Sequence, residues 1–217
     1  MTRGLQAVLF DMDGLLVDSE RLWLEVEYDV AAWLGIAWGP EHQEATVGGS
    51  LDRTVAYMLR IGGPVAPPQE VGRRLLDGMA GLLSAQVPLM PGAKDLLTQV
   101  QAAGLPAALV TSTHRRLLEH ALDGIGREFF AVTVAGDEVA RTKPAPDPYL
   151  TAARLLEVLP ARCVALEDSP TGVAAAEAAG CVTVAVPSVV AVPPAPGRTV
   201  VGSLTELDLP RLRELIP

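Results

Sequence analysis

Short apolar runs alternate with helical segments from residue 91 onward, and this alternation restricts the fold more than any other feature of the chain. A strand buried on both faces is predicted first at residues 7–10, where four apolar residues (AVLF) stand in a row. Later strand-like runs read LPAALVT, FFAVTVAG, RCVALED and CVTVAVP, with TVVGSL as a short edge strand. Helices of about 11 to 13 residues separate them, which is typical of βα units. The sequence therefore predicts an α/β fold with a doubly wound, Rossmann-like parallel sheet.

A helical block interrupts this rhythm after the first strand. No strand candidate lies between residues 19 and 90. Ser19 is predicted to cap the first helix of the block and Gly35 to end it. We therefore predict a core made of residues 1–17 and 89–217, with a small α-helical cap domain at residues 18–88.

The charge balance excludes some partners. The chain has 17 basic and 26 acidic side chains and a net charge of −9, so a nucleic-acid partner is not expected. The longest apolar tract, CVTVAVPSVVAVPPAP, contains four prolines. It is shorter than the ~20 residues of a membrane span. The apolar stretch at the start is too short for a secretory signal and contains Asp11. We expect a cytoplasmic monomer without membrane association.

Polar side chains follow three of the predicted strands at the points where they end. They are Asp11 and Asp13 after the first strand, Thr111 and Ser112 after the second, and Glu167 and Asp168 after RCVALED. Lys143 stands just ahead of two prolines in RTKPAPDPY. Because parallel strands present their carboxyl ends along one edge, where such sheets bind ligands, we expect these groups to converge.

Four carboxylates at this edge would face a single lysine. A like-charged pair about 4 Å apart costs roughly 4 kcal/mol at an effective dielectric near 20. The carboxylates must therefore take up protons or bind a metal ion. Oxygen ligands without a nearby histidine or cysteine indicate Mg²⁺, whose open positions usually accept phosphate oxygens.

These residue types can perform phosphoryl transfer. Asp11 can attack phosphorus and form an aspartyl-phosphate, while Asp13 protonates the leaving oxygen and later activates water. Lys143 and Mg²⁺ offset the repulsion between anions, and Thr111 with the backbone N–H of Ser112 holds the phosphoryl oxygens. Thr113 is expected only to cap the following helix. The predicted partner is a small phosphorylated metabolite.

With these residues in place, the chain resembles the haloacid dehalogenase superfamily, in its branch of β-phosphoglucomutase-like enzymes and sugar-phosphate phosphatases with a helical C1 cap. Four motifs carry the resemblance in order: DMDGLLVDSE, LVTSTHR, RTKPAPDPY and VALEDSPTGV. The resemblance implies the roles given above for Asp11, Asp13, Thr111 and Lys143. It also implies Mg²⁺ held by the Asp11 side chain, the Asp13 carbonyl, Asp168 and, directly or through water, Glu167.

Departures from the family pattern narrow the activity. Asp13 argues against cleavage of a carbon–halogen bond, because the dehalogenases lack this second aspartate. The segment DSERLWLEVE has no cap histidine, and Leu51, three residues after Gly48, replaces the cap arginine of the phosphomutases. Both losses favour a phosphatase over a phosphomutase. Gly172 stands where other members carry a further aspartate.

Two alternative function classes and three candidates for contact with the substrate remain to be weighed. A signalling receiver domain also clusters acidic residues at strand ends, but it is about half this length and has no cap. A non-catalytic binding protein has no support, because every catalytic position is filled. Glu20 and Trp23, in the predicted cap just after the nucleophile loop, and His114, after the second strand, are the candidates for contact with the substrate. Each is also compatible with a plain surface or packing role.

Overall fold

A single parallel sheet carries the core of the molecule. The computed structural model describes residues 4–46, 51–63 and 65–217, so Gly48 lies outside the described residues. The strand order is β3-β2-β1-β4-β5-β6, and every pair is parallel. The strands are β1 (Ala7–Phe10), β2 (Ala107–Val110), β3 (Val132–Val134), β4 (Cys163–Glu167), β5 (Val182–Ala185) and β6 (Arg198–Val200). The predicted α/β class and the edge position of the last strand are confirmed.

The helices fall into two groups along the chain. Four follow β1 directly: α1 (Ser19–Trp33), α2 (Pro40–Thr46), α3 (Leu51–Gly62) and α4 (Pro68–Ala85). The others accompany the later strands: α5 (Ala93–Ala102), α6 (Arg115–Ile125), α7 (Asp147–Leu155), α8 (Pro170–Ala178) and α9 (Leu209–Glu214). Across the part of the chain that is described, no helix combines the length and apolar character needed to cross a bilayer.

The central strand explains how the sheet is covered on both faces. All four residues of β1 are fully buried, as the apolar run predicts. Phe10 packs into the larger apolar cluster, which also includes buried residues of α1, α3 and α4. Leu9 points the opposite way, into a second cluster with Tyr149 and residues of α8. Since alternate side chains of a strand face opposite sides, β1 is apolar throughout because both sides are covered.

Two segments connect the sheet to the helical block, and they run side by side. Val17 forms an isolated antiparallel bridge with Leu89. The Asp18 N–H donates to the Pro88 carbonyl at 2.8 Å, and the Met90 N–H donates to the Leu16 carbonyl at 2.9 Å. The boundaries predicted for the cap domain fall in this paired segment.

A serine stands at the start of both α1 and α8, but it caps only α8. Ser169 caps α8 as its residue type predicts, and its hydroxyl accepts from the Gly172 N–H at 3.1 Å. Ser19 does not cap α1: the cap position is Asp18, without a side-chain cap bond, and Ser19 is the first helical residue. The reason is the pairing of Asp18 with Pro88, which holds the backbone of Asp18 outside the helix.

A buried carboxyl group lies inside the helical block. Glu27, on α1, is only 7% exposed, and the Thr46 hydroxyl donates to its Oε2 at 3.0 Å. Burial raises the pKa of Glu27 to about 7, an effect that the Thr46 hydrogen bond opposes and the nearby Glu20 reinforces. The folded protein therefore keeps this proton to a higher pH than the unfolded chain does.

This difference makes the stability of the protein depend on pH. Between about pH 4.5 and pH 7 the folded protein keeps the Glu27 proton while the unfolded chain loses it. The contribution of Glu27 to the free energy of unfolding should therefore decline as the pH rises through this interval. We expect Glu27→Gln to stabilise the protein by roughly 1–2 kcal/mol at pH 8, because solvent screens part of the cost. At pH 5 the variant and the wild type should be nearly equal in stability.

Thermal unfolding of Glu27→Gln and the wild type at both pH values measures this difference. Glu25→Gln, at an exposed position on the same helix, is the control. A variant no more stable than the wild type at pH 8 would contradict it.

Candidate active site

Three of the predicted site residues stand at the carboxyl ends of neighbouring strands. Asp11 follows β1, Thr111 follows β2, and Glu167 ends β4. The Asp11 N–H still donates to the Leu166 carbonyl at 3.0 Å, so the ladder extends one residue beyond β1. Asp11, Thr111 and Glu167 are all buried, at 5%, 1% and 0% exposure. The strands themselves therefore bring residues more than 150 positions apart to one edge.

Lys143 enters this edge from the segment between β3 and α7. Its Nζ donates to Asp11 Oδ1, lies 2.6 Å from Glu167 Oε1, and donates to the Val110 carbonyl at 2.9 Å. Burial alone would lower the pKa of Lys143, but the carboxylates of Asp11 and Glu167 outweigh it and hold the pKa above its ordinary value. All three N–H bonds of the ammonium group thus have an acceptor. Lys143 therefore remains protonated and places its positive charge beside Asp11, at the end of β1.

Three carboxyl groups lie close to the single positive charge of Lys143. Oxygens of Asp11, Glu167 and Asp168 lie within 4.8 Å of one another. Burial raises the pKa of Asp11 well above its ordinary value, against the effect of Lys143 and together with that of Glu167. Burial likewise raises the pKa of Asp168 to about 7, although a hydrogen bond from Ser188 opposes the shift. The site therefore holds more negative charge than its own residues neutralise.

This cluster has the donor set that a hard divalent cation requires. Its ligand atoms are all carboxylate oxygens, without histidine or cysteine. Within the described residues, Glu167 Oε2 is a buried oxygen that no donor contacts. A buried acceptor without a donor is costly, and a cation in the cluster would relieve that cost. The residues present thus fit Mg²⁺, which favours oxygen ligands.

Asp13 takes part in a different set of contacts. Its Oδ2 accepts from the Thr111 hydroxyl at 3.0 Å and from the Thr113 hydroxyl at 2.7 Å. The expectation that Thr113 caps the next helix is wrong, because His114 is the cap residue of α6 and its side chain makes no cap bond. The loop after β2 therefore engages the side chain of Asp13 through two hydroxyl groups.

Comparison with known proteins decides the family. The family described as haloacid dehalogenase-like hydrolase matches residues 5–180, which include all four motifs. The chain belongs to the haloacid dehalogenase-like hydrolases. The CbbY protein of Cereibacter sphaeroides is 34% identical over 187 residues, 81% of each chain. Hexitol phosphatase B of Escherichia coli (strain K12) is 34% identical over 189 residues, which are 86% of this chain and 85% of that protein.

A solved structure shows the same architecture. The crystal structure of CbbY from Rhodobacter sphaeroides in complex with phosphate matches with a TM-score of 0.83 and 32% identity. The match covers 96% of this chain and 99% of the other. This haloacid dehalogenase-like hydrolase therefore fits the sugar-phosphate phosphatase branch that the four motifs indicate.

One departure of this hydrolase from the family pattern has a steric reason. Gly172, the position at which the fourth motif departs from the pattern that the resemblance implies, lies on α8. A Cβ atom on Gly172 would lie 1.9 Å from Glu167 Oε2. The Glu167 side chain is held by Lys143 and Tyr149, so it cannot easily move aside. In this hydrolase, the buried position of Glu167 and a side chain at residue 172 exclude each other.

Two residues that contact the site were not found from the sequence. The Tyr149 hydroxyl donates to Glu167 Oε1, and the Ser188 hydroxyl donates to Asp168 Oδ2 at 2.5 Å. Tyr149 lies inside the motif RTKPAPDPY, but no pattern in the sequence points to its hydroxyl. Ser188 follows β5, so the rule that picked polar residues after the other strands could also have picked it.

The remaining candidates lie around this centre. Ser112 is exposed at the strand end, next to Thr111. His114 is 61% exposed, with its Nδ1 3.8 Å from Asp137 Oδ2. Glu20 lies in the first turn of α1 and is half-buried, and Trp23, one turn later, packs against the larger apolar cluster. Their roles in this hydrolase stay predictions.

Proposed function

We propose that this chain hydrolyses the phosphate monoester of a small sugar or polyol through an aspartyl-phosphate on Asp11. Its family and the phosphatases among its relatives make it a phosphoric monoester hydrolase. The name of hexitol phosphatase B, 34% identical to this chain, supports a phosphorylated polyol or sugar as the substrate class. The observation that carries the proposal is the buried contact of Lys143 with Asp11 beside the carboxylate cluster.

The first step transfers the phosphoryl group to the protein. A carboxylate oxygen of Asp11 forms a bond to phosphorus while the bond from phosphorus to the ester oxygen breaks. The electron pair leaves with the ester oxygen, which takes a proton from Asp13 and departs as an alcohol. Lys143 offsets the repulsion between the incoming anion and Asp11, and Thr111 and the Ser112 N–H bind phosphoryl oxygens.

The second step restores the enzyme with water. Asp13, now ionised, takes a proton from a water molecule as its oxygen attacks phosphorus. The bond between phosphorus and the Asp11 oxygen breaks, and inorganic phosphate leaves. The products are the alcohol and phosphate, and one water molecule has been consumed.

We propose that Asp11, Glu167 and Asp168 hold Mg²⁺ together with the backbone carbonyl of Asp13. When bound, Mg²⁺ would supply the positive charge that the cluster lacks and would offset the charge of the substrate phosphate. The burial of Asp11 and the uncontacted oxygen of Glu167 support this assignment.

We also propose that residues 18–88 act as a cap that selects the leaving group. The paired segments at Val17 and Leu89 connect this block to the sheet beside Asp13. Glu20 and Trp23 lie in the first turns after the connection, which places them nearest the nucleophile loop along the chain. Closure of such a cap would exclude water from the first step.

The deciding test is phosphate release from a panel of hexose, hexitol and pentulose phosphates and phosphoglycolate. We expect release with Mg²⁺, a fall of about 100-fold or more with EDTA, and recovery when excess Mg²⁺ is added. Mg²⁺ alone should also raise the melting temperature, because it binds only the folded cluster. Accumulation of an isomeric sugar phosphate without release would replace the proposal by a phosphomutase. Absence of both activities would contradict the proposed function.

A further inference from the structure

We propose that Thr113 is a positioning residue for Asp13: its hydroxyl keeps the transferable proton on Asp13 Oδ1. The inference rests on the proposed function, in which Asp13 is the acid and base. The Thr113 hydroxyl lies 2.7 Å from Asp13 Oδ2, across 100 positions of sequence. The Thr111 hydroxyl donates to the same oxygen at 3.0 Å.

Two donors on one oxygen determine where a proton can sit. A protonated carboxyl group carries its hydrogen on one oxygen, and the other oxygen can only accept. Because Oδ2 already accepts from two hydroxyl groups, a proton on Oδ2 would force at least one of them to turn away or to change from donor to acceptor, whereas a proton on Oδ1 disturbs neither. The proton of the acid form is therefore held on Oδ1, the oxygen that the two threonines leave to the substrate.

Thr113 is the donor that remains when substrate binds. The Thr111 hydroxyl has a single proton, which can serve Asp13 or a phosphoryl oxygen but not both. One lone pair of the same hydroxyl oxygen is also engaged, because the Thr113 N–H donates to Thr111 Oγ1 at 3.0 Å. If Thr111 turns its proton to the phosphate, as the proposed function requires, Thr113 alone keeps the orientation of Asp13.

The backbone holds the Thr113 hydroxyl in place from a second side. The Gly136 N–H donates to the Thr113 carbonyl at 3.0 Å. Gly136 lies so close to this loop that a Cβ atom there would be 2.1 Å from the Ser112 carbonyl oxygen. The segment from residue 111 to 113 is thus packed against the segment that follows β3, and this contact helps to fix the backbone that carries the Thr113 hydroxyl.

The test compares two leaving groups, so that a loss of proton donation by Asp13 can be told apart from a general disruption of the active-site loop. Single-turnover experiments would follow alcohol release from the best sugar or polyol phosphate of the panel, and nitrophenol release from p-nitrophenyl phosphate. An alkoxide needs a proton to leave, whereas p-nitrophenolate does not. Single turnovers are required because Asp13 also acts in the water step, which is common to both substrates.

We expect Thr113→Val to slow release from the alkyl phosphate by about 10- to 100-fold and release from the aryl phosphate by at most about threefold. Thr113→Ser, which keeps the hydroxyl, should restore the alkyl rate to within about threefold of the wild type. Thr98→Val is the matched control, since its hydroxyl donates to the Lys94 carbonyl at 2.7 Å on the exposed side of α5. It should change neither rate.

Each other outcome overturns the inference in a recognisable way. Equal slowing of both substrates would mean that Thr113 only maintains the loop, and unchanged rates would mean that Asp13 does not need it. If Thr113→Val does not fold, Thr113→Ala replaces it in the same comparison. If the wild type releases neither alcohol nor nitrophenol, the proposed function itself is refuted. This outcome is read from the wild-type rates alone, whereas the inference about Thr113 is read from the ratio of variant to wild-type rates.

Discussion

Asp11→Asn is expected to lower kcat by about 10⁴-fold or more, the size of loss seen when a covalent nucleophile is removed. An amide keeps the shape of the carboxyl group but cannot attack phosphorus. The fold should survive, because Lys143 keeps Glu167 and the Val110 carbonyl as acceptors. Steady-state phosphate release on the best panel substrate measures the change, and the melting temperature confirms folding.

The control for this variant is Asp123→Asn, at an exposed carboxylate on α6 that pairs with Arg127 at 3.1 Å. It should leave kcat within about twofold of the wild type, since exposed ion pairs contribute little. Acid-quenched turnover with labelled substrate adds a direct readout: the wild type should retain base-labile phosphate on the protein, and Asp11→Asn should retain none. Substantial activity in Asp11→Asn would rule out Asp11 as the nucleophile.

Lys143→Met is expected to damage both catalysis and folding. Methionine fills a similar volume, but it leaves the buried carboxylates of Asp11 and Glu167 without the cation that contacts both. We expect kcat to fall by about 10³-fold, because positive charge at the attacking group is lost. The free energy of unfolding should fall by about 3 kcal/mol, typical of a buried charge that loses its partner. For a chain of this size, the melting temperature should then drop by about 6 to 12 °C.

Lys94→Met provides a matched control, because Lys94 and Lys143 are the two lysines of the chain. Lys94 is exposed, unlike Lys143, and its Nζ lies 4.3 Å from the centroid of the Phe129 ring. Its loss should change kcat by less than about twofold and stability by less than about 1 kcal/mol. Thermal unfolding and phosphate release on both variants make the comparison. If the kcat of Lys143→Met lay within tenfold of the wild-type value, the catalytic role of Lys143 would be contradicted.

The framework of the site could be predicted because it depends on local patterns. AVLF at residues 7–10 is a strand buried on both faces, and that can be recognised from four adjacent apolar residues. Asp11, Thr111 and Glu167 converge because each stands at the carboxyl end of a parallel strand, a rule that needs only strand positions and direction. The order of the four motifs then identifies the family that the comparisons confirm.

Other parts of the site depend on packing between distant segments and were missed or misjudged. Ser19 has the right residue type for a helix cap. Because Asp18 pairs with Pro88, however, Asp18 takes the cap position and Ser19 becomes the first residue of the helix. Thr113 precedes a helix and looked like its cap, yet its hydroxyl turns back to Asp13. In both cases a local preference of about 1 kcal/mol gave way to a contact formed by a remote segment.

By itself, the sequence determined the strands, their parallel arrangement, the carboxylates and lysine at the strand ends, and the family. These follow from periodicity and residue type, which are local properties that the chain carries before it folds. Only the tertiary structure decided that Thr113 contacts Asp13, that Tyr149 and Ser188 donate to the two carboxylates at the end of β4, and that Gly172 makes room for Glu167. Such contacts join groups up to 100 residues apart, and they exist only once the packed core has set the distances between side chains.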